Sequence, residues 1–220
     1  MSGLVRPPAD RRTERSAEPR EVRERQLTDA ALHCISTLGL RDTTVQEVAA
    51  RAQMAAGSIS QYFGSKNALF TAVLERLSEE FQTAWQAELG RCGPRPAERL
   101  RSFVLCYFDP SLCQQKKIAV WFAFWGEVKA RPQYRAVCSG FDRLHDEALE
   151  QLCSEVIAAG DYPDLEAPAA AKIIASLCHG LWLEMLTGAG RPRREDLARL
   201  ALRGLAALFP RDAEDLRPPG

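Results

Sequence analysis

Two sets of side chains in this sequence have types and spacings suited to holding something. The first lies in TTVQEVAARAQMAAGSISQYFGSKNALF, residues 43–70. There Ala56, Gly57, Ser58 and Ser60 form a small, partly hydroxylated run, followed by Gln61, Tyr62 and Lys66. A glutamine amide pairs with an adenine edge, serine hydroxyls are less selective, and threonine, tyrosine and lysine suit phosphate oxygens. The second set is aromatic: Tyr107, Trp121, Trp125 and Trp182, with Asp109, Glu127 and Glu184 available as acids. Ring faces attract a cation and a carboxylate offsets its charge, so this set suits a quaternary ammonium. The same rings at helical spacing also suit an ordinary core.

The elements that must position these residues are helices. Thr44 and Glu47 form a capping box that opens a short helix with Val45, Val48, Ala49 and Ala52 on its apolar face. A second short helix runs to Phe63 with Ile59, Tyr62 and Phe63 inward, and Ser65 caps a longer one that starts at Lys66. A short helix, a turn and a second short helix with a small-polar outer face is the shape that enters a major groove. Gly57 inside a helix costs about 1 kcal/mol against Ala, and close approach of its backbone to DNA or a neighbouring helix is a reason to tolerate it. The remaining periodicity predicts helices over about 20–38, 66–89, 97–108, 115–129, 132–159, 167–187 and 193–208, broken at Gly39, Gly90–Pro96, Asp109-Pro110, Gly160–Pro163, Gly188 and Pro210. No stretch reads as a strand. The fold class expected is all-α. Its parts are a flexible Arg/Pro-rich tail over 1–19, a three-helix head over 20–66, a larger helical body over 67–210 and a frayed end over 211–220.

The run T-T-V-x-x-V-A-x-x-A…G-x-I-S-x-Y-F-x-x-K-x-x-L resembles the DNA-binding segment of the TetR family of bacterial repressors. Downstream, R-L-x-x-F-V…Y-F-D at 99–109, A-V-W-F-A-F-W at 119–125 and H-G-L-W-L-E at 179–184 look like the choline-responsive, BetI-type branch of that family. The resemblance implies that Thr44, Gln46, Ala56, Gly57, Ser58, Ser60, Gln61, Tyr62 and Lys66 lie near DNA. It implies a homodimer built through the last two long helices, whose apolar faces carry Ile173, Ile174, Leu177, Leu181, Leu197, Leu200, Leu205 and Leu208. A small effector in the body, for which the residue types offer Trp121, Trp125, Trp182, Tyr107, Asp109 and Glu184, is expected to weaken operator binding by shifting the helix starting at Lys66. The sequence departs from the family pattern at two places: Ala55 stands where a Ser or Thr usually caps, and Gln53 where the turn usually has Gly.

Composition sets limits on other classes. The chain has 220 residues, 46% of them hydrophobic, and a formal net charge of zero. Residues 1–66 carry ten Lys/Arg and eight Asp/Glu, a net of +2, which leaves −2 for the remainder. That bias is modest, and specific recognition needs only a basic docking face. No apolar run approaching the ~20 residues of a membrane span is read, nor a signal peptide, so a cytoplasmic protein without a membrane partner is expected. Seven cysteines, including Cys34, Cys106, Cys113, Cys153 and Cys178, form no CxxC pair. They read as buried thiols in a reducing compartment, with a Cys106–Cys113 redox switch as the alternative. His33, His145 and His179 have no metal-binding spacing, and no nucleophile elbow, Walker or dinucleotide motif occurs. No catalytic residue, metal or cofactor is expected. Two alternatives stay open: a regulator sensing a neutral aromatic or lipophilic compound or a polyamine, and a small-molecule-binding protein or helical enzyme whose head no longer binds DNA. The arginines of the tail and its end, Arg6, Arg11, Arg12, Arg15 and Arg20, offer either DNA contacts or a solvated tail.

Overall fold

Capping and proline chemistry place the helix starts where the sequence asks for them. The computed structural model describes residues 19–188, 190 and 192–217. Along these the chain forms α1 (Arg20–Leu38), α2 (Val45–Arg51), α3 (Gly57–Phe63), α4 (Lys66–Arg91), α5 (Pro96–Cys106), α6 (Gln115–Glu127), α7 (Pro132–Gly160), α8 (Ala167–Thr187), α9 (Arg194–Leu208), a 3-10 turn (Pro210–Asp212) and α10 (Ala213–Leu216). No strand occurs among the described residues. Thr44 closes its capping box with Glu47, and the Ser65 hydroxyl accepts from the Ala68 N–H at 3.1 Å. Pro96 and Pro132 open α5 and α7, where a missing N–H costs nothing.

The head is α1 to α3, closed around Leu27, Ala31, Ile35, Val48, Ala49 and Ile59, all buried. The 26-residue α4 carries that core onward through Leu69, Phe70 and Val73 and enters the body at Phe81 and Trp85. In the body, α7 and α8 pack on each other, α5 lies against α4 and α7, and α9 against α8. α6 packs against both α1 and α8, so it is a second connection between head and body. Ion pairs hold that junction: Arg41 to Glu127 at 2.7 Å, Arg76 to Asp29 at 2.8 Å and Lys117 to Glu80 at 2.6 Å. The Arg41 guanidinium, with Arg131 beside it, holds the Glu127 carboxyl below the usual carboxylate range.

Two expectations change here, and two readings left open are decided. The end of the chain is not frayed through 216, because Leu216 is fully buried and α10 packs against α5 and α9. An isolated four-residue helix has no propensity signal to read; burial of one leucine holds it. Secondly, α8 is long and apolar enough, by length and composition, to cross a bilayer, although only 39% of its apolar window is buried inside the chain. Its small residues and its buried side against α7 conceal that run from a reading tuned to large apolar side chains. Arg20 opens α1, as the expected helix start at residue 20 has it, pairing with Glu24 at 2.7 Å and donating to the Tyr62 carbonyl at 2.9 Å. The rest of the expected tail, through residue 18, lies outside the described residues. Cys106 and Cys113 are buried, free thiols, as the main reading has them, and the alternative of a pair between them is set aside. The Cys106 thiol points to the Ser102 carbonyl and the Cys113 sulfur lies 3.3 Å from Met185 Sδ. Burial pushes both thiols up, to about 12 and about 11, which keeps them protonated and unreactive.

Candidate functional site

The outer surface of the head is built by α2, its turn and α3. Thr44 is spent on its cap: its N–H and its hydroxyl both donate to Glu47 Oε2, at 2.7 and 2.9 Å, while its Oγ1 accepts the Glu47 N–H. These bonds hold the Glu47 carboxyl low. Gln46, Ala56, Gly57, Ser60 and Gln61 are exposed, while Ser58, Tyr62 and Lys66 are half-buried. The Tyr62 ring lies under the Arg20 guanidinium at 5.6 Å and the Lys66 ammonium sits 5.2 Å over Phe70, so both side chains are held against the head. Nothing lies within 4 Å of the space a side chain at Gly57 would fill, so no neighbouring helix demands glycine there. α3 begins at Ala56 without a side-chain cap. The turn before it places Gln53 at φ +55°.

The second site is a cavity of ≈ 280 Å³ between α4, α5, α6, α7 and α8. Tyr107, Trp121, Trp125 and Trp182 all line it, as the sequence anticipates. Helical spacing does this on α6, where Trp121 and Trp125 are one turn apart with ring centroids at 5.7 Å. Trp182 packs 5.3 Å from Tyr107 and its indole N–H donates to the Tyr107 carbonyl at 2.8 Å. Phe81 from α4 and Phe141 from α7 complete the rings, 5.8 Å apart.

The expected acids are elsewhere. Asp109 lies beyond the end of α5, where its carboxylate accepts from the Ser111 N–H at 2.7 Å and from the Ser111 hydroxyl. Glu184 is two residues past Trp182, hence about 200° around α8, and exposed. Glu127 is held by Arg41. The acids that line the cavity are Asp142 and Asp146, one turn apart on α7, with Lys172 of α8 across the mouth. Desolvation and then repulsion from Asp146 raise the Asp142 carboxyl, whereas the hydrogen bond from His145 lowers Asp146. The i, i+4 pair Asp142 and Asp146 flanking His145 was the available signal, but it rests on knowing which face of α7 turns inward.

A polar chain runs along the cavity wall. Tyr107 Oη lies 2.5 Å from His145 Nε2, and His145 Nδ1 lies 3.1 Å from Asp146 Oδ1. A carboxylate at Nδ1 fixes a proton there and leaves Nε2 to accept from the phenol. Burial pushes the Tyr107 phenol well above its ordinary value, so it remains a neutral donor. His179 stacks edge-on against Trp125 at 4.9 Å and Tyr107 at 5.7 Å. Burial and the nearby His145 push its imidazole down to about 4. Among the described residues no group of three or more His, Cys, Asp or Glu could hold a metal ion.

Comparison with known proteins agrees with both halves. Residues 27–73 match the family model of the TetR-family bacterial regulatory proteins, and residues 96–210 match that of the BetI-type transcriptional repressor C-terminal domain. An HTH-type transcriptional regulator BetI of Burkholderia mallei is 34% identical over 165 residues, covering 74% of this chain and 82% of the relative. The corresponding Burkholderia thailandensis protein is 33% identical over the same length. A transcriptional regulator of Pseudomonas aeruginosa superimposes with a TM-score of 0.78 at 21% identity, over 92% of this chain and 97% of that one. A regulator from Saccharomonospora viridis, solved in complex with choline, superimposes at 0.76 with 19% identity, over 86% and 97%. These two likenesses are of fold.

Proposed function

The chain belongs to the TetR family of bacterial transcriptional regulators, with a BetI-type C-terminal domain, and from that premise we propose a homodimeric, cytoplasmic repressor released from a near-palindromic operator by a small, choline-like cation. The observation that carries the effector class is the cavity: four indole or phenol rings with two carboxylates and one lysine at its mouth. Each cation–ring contact contributes about 0.5–2 kcal/mol when desolvated, so two or three support a micromolar-to-millimolar sensor. The volume of ≈ 280 Å³ suits a small metabolite rather than a long lipid. Asp142 and Asp146 favour a cation over a neutral aromatic effector, because two carboxylates against one lysine leave the mouth with a negative bias. The Saccharomonospora viridis regulator crystallised with choline is consistent with that chemistry.

Release follows from which helices the effector touches. Phe81 of α4 and Trp121 and Trp125 of α6 line the cavity, and both helices also hold the head. A cation that fits one spacing of α4 and α6 better than another biases the heads toward that spacing and away from the operator. On DNA, α3 enters the major groove with Gln61 and the serines toward base edges, while Tyr62 and Lys66 take phosphates and Thr44, both of whose donors are bound to Glu47, serves the cap instead.

Calorimetry with choline and its uncharged isostere 3,3-dimethylbutanol tests the effector. Choline should bind, dimethylbutanol at least tenfold more weakly, and Asp142→Asn with Asp146→Asn should narrow the gap. Equal binding of both, or of neither, sinks the cation cage. For the head, Lys66→Ala should weaken binding to every duplex and lower the salt slope by about one phosphate contact, whereas Gln61→Ala should alter sequence preference. Parental behaviour of both variants on all duplexes would refute this docking.

A further inference from the structure

Three polar rings of the cavity wall make no hydrogen bond to any described residue: the indoles of Trp121 and Trp125 and the imidazole of His179. Tyr107 is committed to His145, His145 to Tyr107 and Asp146, and Trp182 to the Tyr107 carbonyl. His179 lines the same cavity, half-buried among Trp125, Tyr107 and Trp182 at 4.9, 5.7 and 6.2 Å, yet makes no hydrogen bond to any described residue. Of the three unpartnered rings, only the imidazole can both donate and accept.

We propose that His179 reads the non-cationic end of the effector, hydrogen-bonding a hydroxyl carried two or three bonds from the ammonium group. This rests on the cation-cage reading and extends it: the site recognises a hydroxylated alkylammonium by both ends, not an ammonium alone. The spacing follows from the rings. A cation engages these faces within about 6 Å of their centroids, and His179 stands among the same rings, so the second group must be close to the first. A hydroxyl fits the imidazole better than it fits the indoles of Trp121 and Trp125. An indole N–H only donates, whereas a neutral imidazole donates at one nitrogen and accepts at the other, matching a group that does both. The ring also stays uncharged at neutral pH, since burial holds it down at about 4, and therefore does not repel the cation beside it. His145 is committed to Tyr107 and Asp146, and Lys172 sits exposed at the mouth, so neither fills this role.

The test pairs two ligands with three proteins. Choline and n-propyltrimethylammonium differ by a hydroxyl in place of a methyl. Calorimetry on the full chain should show a wild-type preference for choline of about three- to tenfold, the worth of one neutral hydrogen bond. His179→Phe keeps a ring against Trp125 but cannot pair with the hydroxyl. Its preference should fall below one, because choline then buries an unpaired hydroxyl, while n-propyltrimethylammonium binds as in wild type. His179→Gln, which restores a donor and an acceptor, should recover part of the preference. A ratio unchanged in His179→Phe overturns the assignment while leaving the cation cage intact. If His179→Phe does not fold, His179→Leu provides the same comparison, and an unchanged ratio there also overturns it. Failure of both ligands to bind wild type would instead remove the cage itself, and this inference with it.

Discussion

At Gln53 the backbone enters the left-handed region, with φ +55°. The reason lies in how α2 ends. The Met54 N–H reaches back to the Ala49 carbonyl at 2.9 Å and the Gln53 N–H to that of Ala50 at 3.1 Å, the two bonds of a Schellman turn, whose C′ position prefers glycine. A side chain there costs about 1–2 kcal/mol relative to glycine in the same conformation, partly offset by the extra freedom glycine has when unfolded. Gln53→Gly should therefore raise stability by about 0.5–1 kcal/mol, read from the urea midpoint at unchanged slope. No change or a loss would mean that the Gln53 side chain has its own partner in the turn. The same local accounting applies to α3: Ala56 already has helical backbone angles and the Ser58 N–H bonds the Ala55 carbonyl at 2.9 Å, so Ala55 is the cap position, and Ala55→Ser or Ala55→Asp should stabilise the helix by about 0.5–1 kcal/mol. Both substitutions lie beside the surface proposed for DNA, and a stability gain with weakened operator binding would place the turn in contact with it.

At the scale of elements, α6 and α10 matter most. α6 is bound to the head through Glu127 and lines the cavity through Trp121 and Trp125, so it joins the cavity to the head by one helical segment. Glu127→Gln should leave choline affinity nearly unchanged but reduce the effector-induced drop in operator affinity, measured by anisotropy with and without choline. An undiminished drop would assign the coupling to α4 alone. α10 makes a different point. Leu216 is fully buried, and Leu216→Ala should cost about 2–5 kcal/mol, whereas a frayed end would show no cost. Helix boundaries were legible in the sequence because caps, prolines and glycines mark them: α2 and α4 begin at the caps Thr44 and Ser65, α7 begins at Pro132, and α1 and α8 end at Gly39 and Gly188. Tyr107, Trp121, Trp125 and Trp182 were legible as a group because ring type and spacing are local information. Asp142, Asp146 and the hold on Leu216 were not, because which face of α7 turns inward and what covers a four-residue helix are set by contacts distant in sequence. Asp109 and Glu184 misled for the same reason: nearness in sequence to a cavity residue is not nearness on a helix face.

For the whole molecule the unresolved surface is the outer side of α8 and α9. Ile174, Cys178, Leu181, Leu197 and Leu205 are buried within the chain, so the apolar face these helices share is partly an internal one. The residues left outside are Ile173, Leu183 and Leu200, exposed by 54, 45 and 48%. On α8 the exposed strip continues through Ser176 and Gly180, small residues that let another helix approach closely. An apolar strip of this kind on a helix otherwise able to span a bilayer argues for a second protein surface, and a two-fold copy of the same strip is the self-complementary partner. Each large side chain, already half-covered, adds on the order of 1 kcal/mol when fully buried, and the symmetry counts each twice. The discriminating variants follow from burial. Ile173→Glu with Leu200→Glu should give a folded monomer, with helical content retained in circular dichroism and half the wild-type mass by ultracentrifugation. Leu181→Asp should unfold the body instead, since its side chain lies inside the chain. The monomer should keep its cavity yet lose operator affinity steeply, because two heads about one DNA turn apart no longer bind as a unit. A wild-type protein that sediments as a folded monomer at micromolar concentration, or a double variant that remains a dimer, would show that this strip is not where the copies meet.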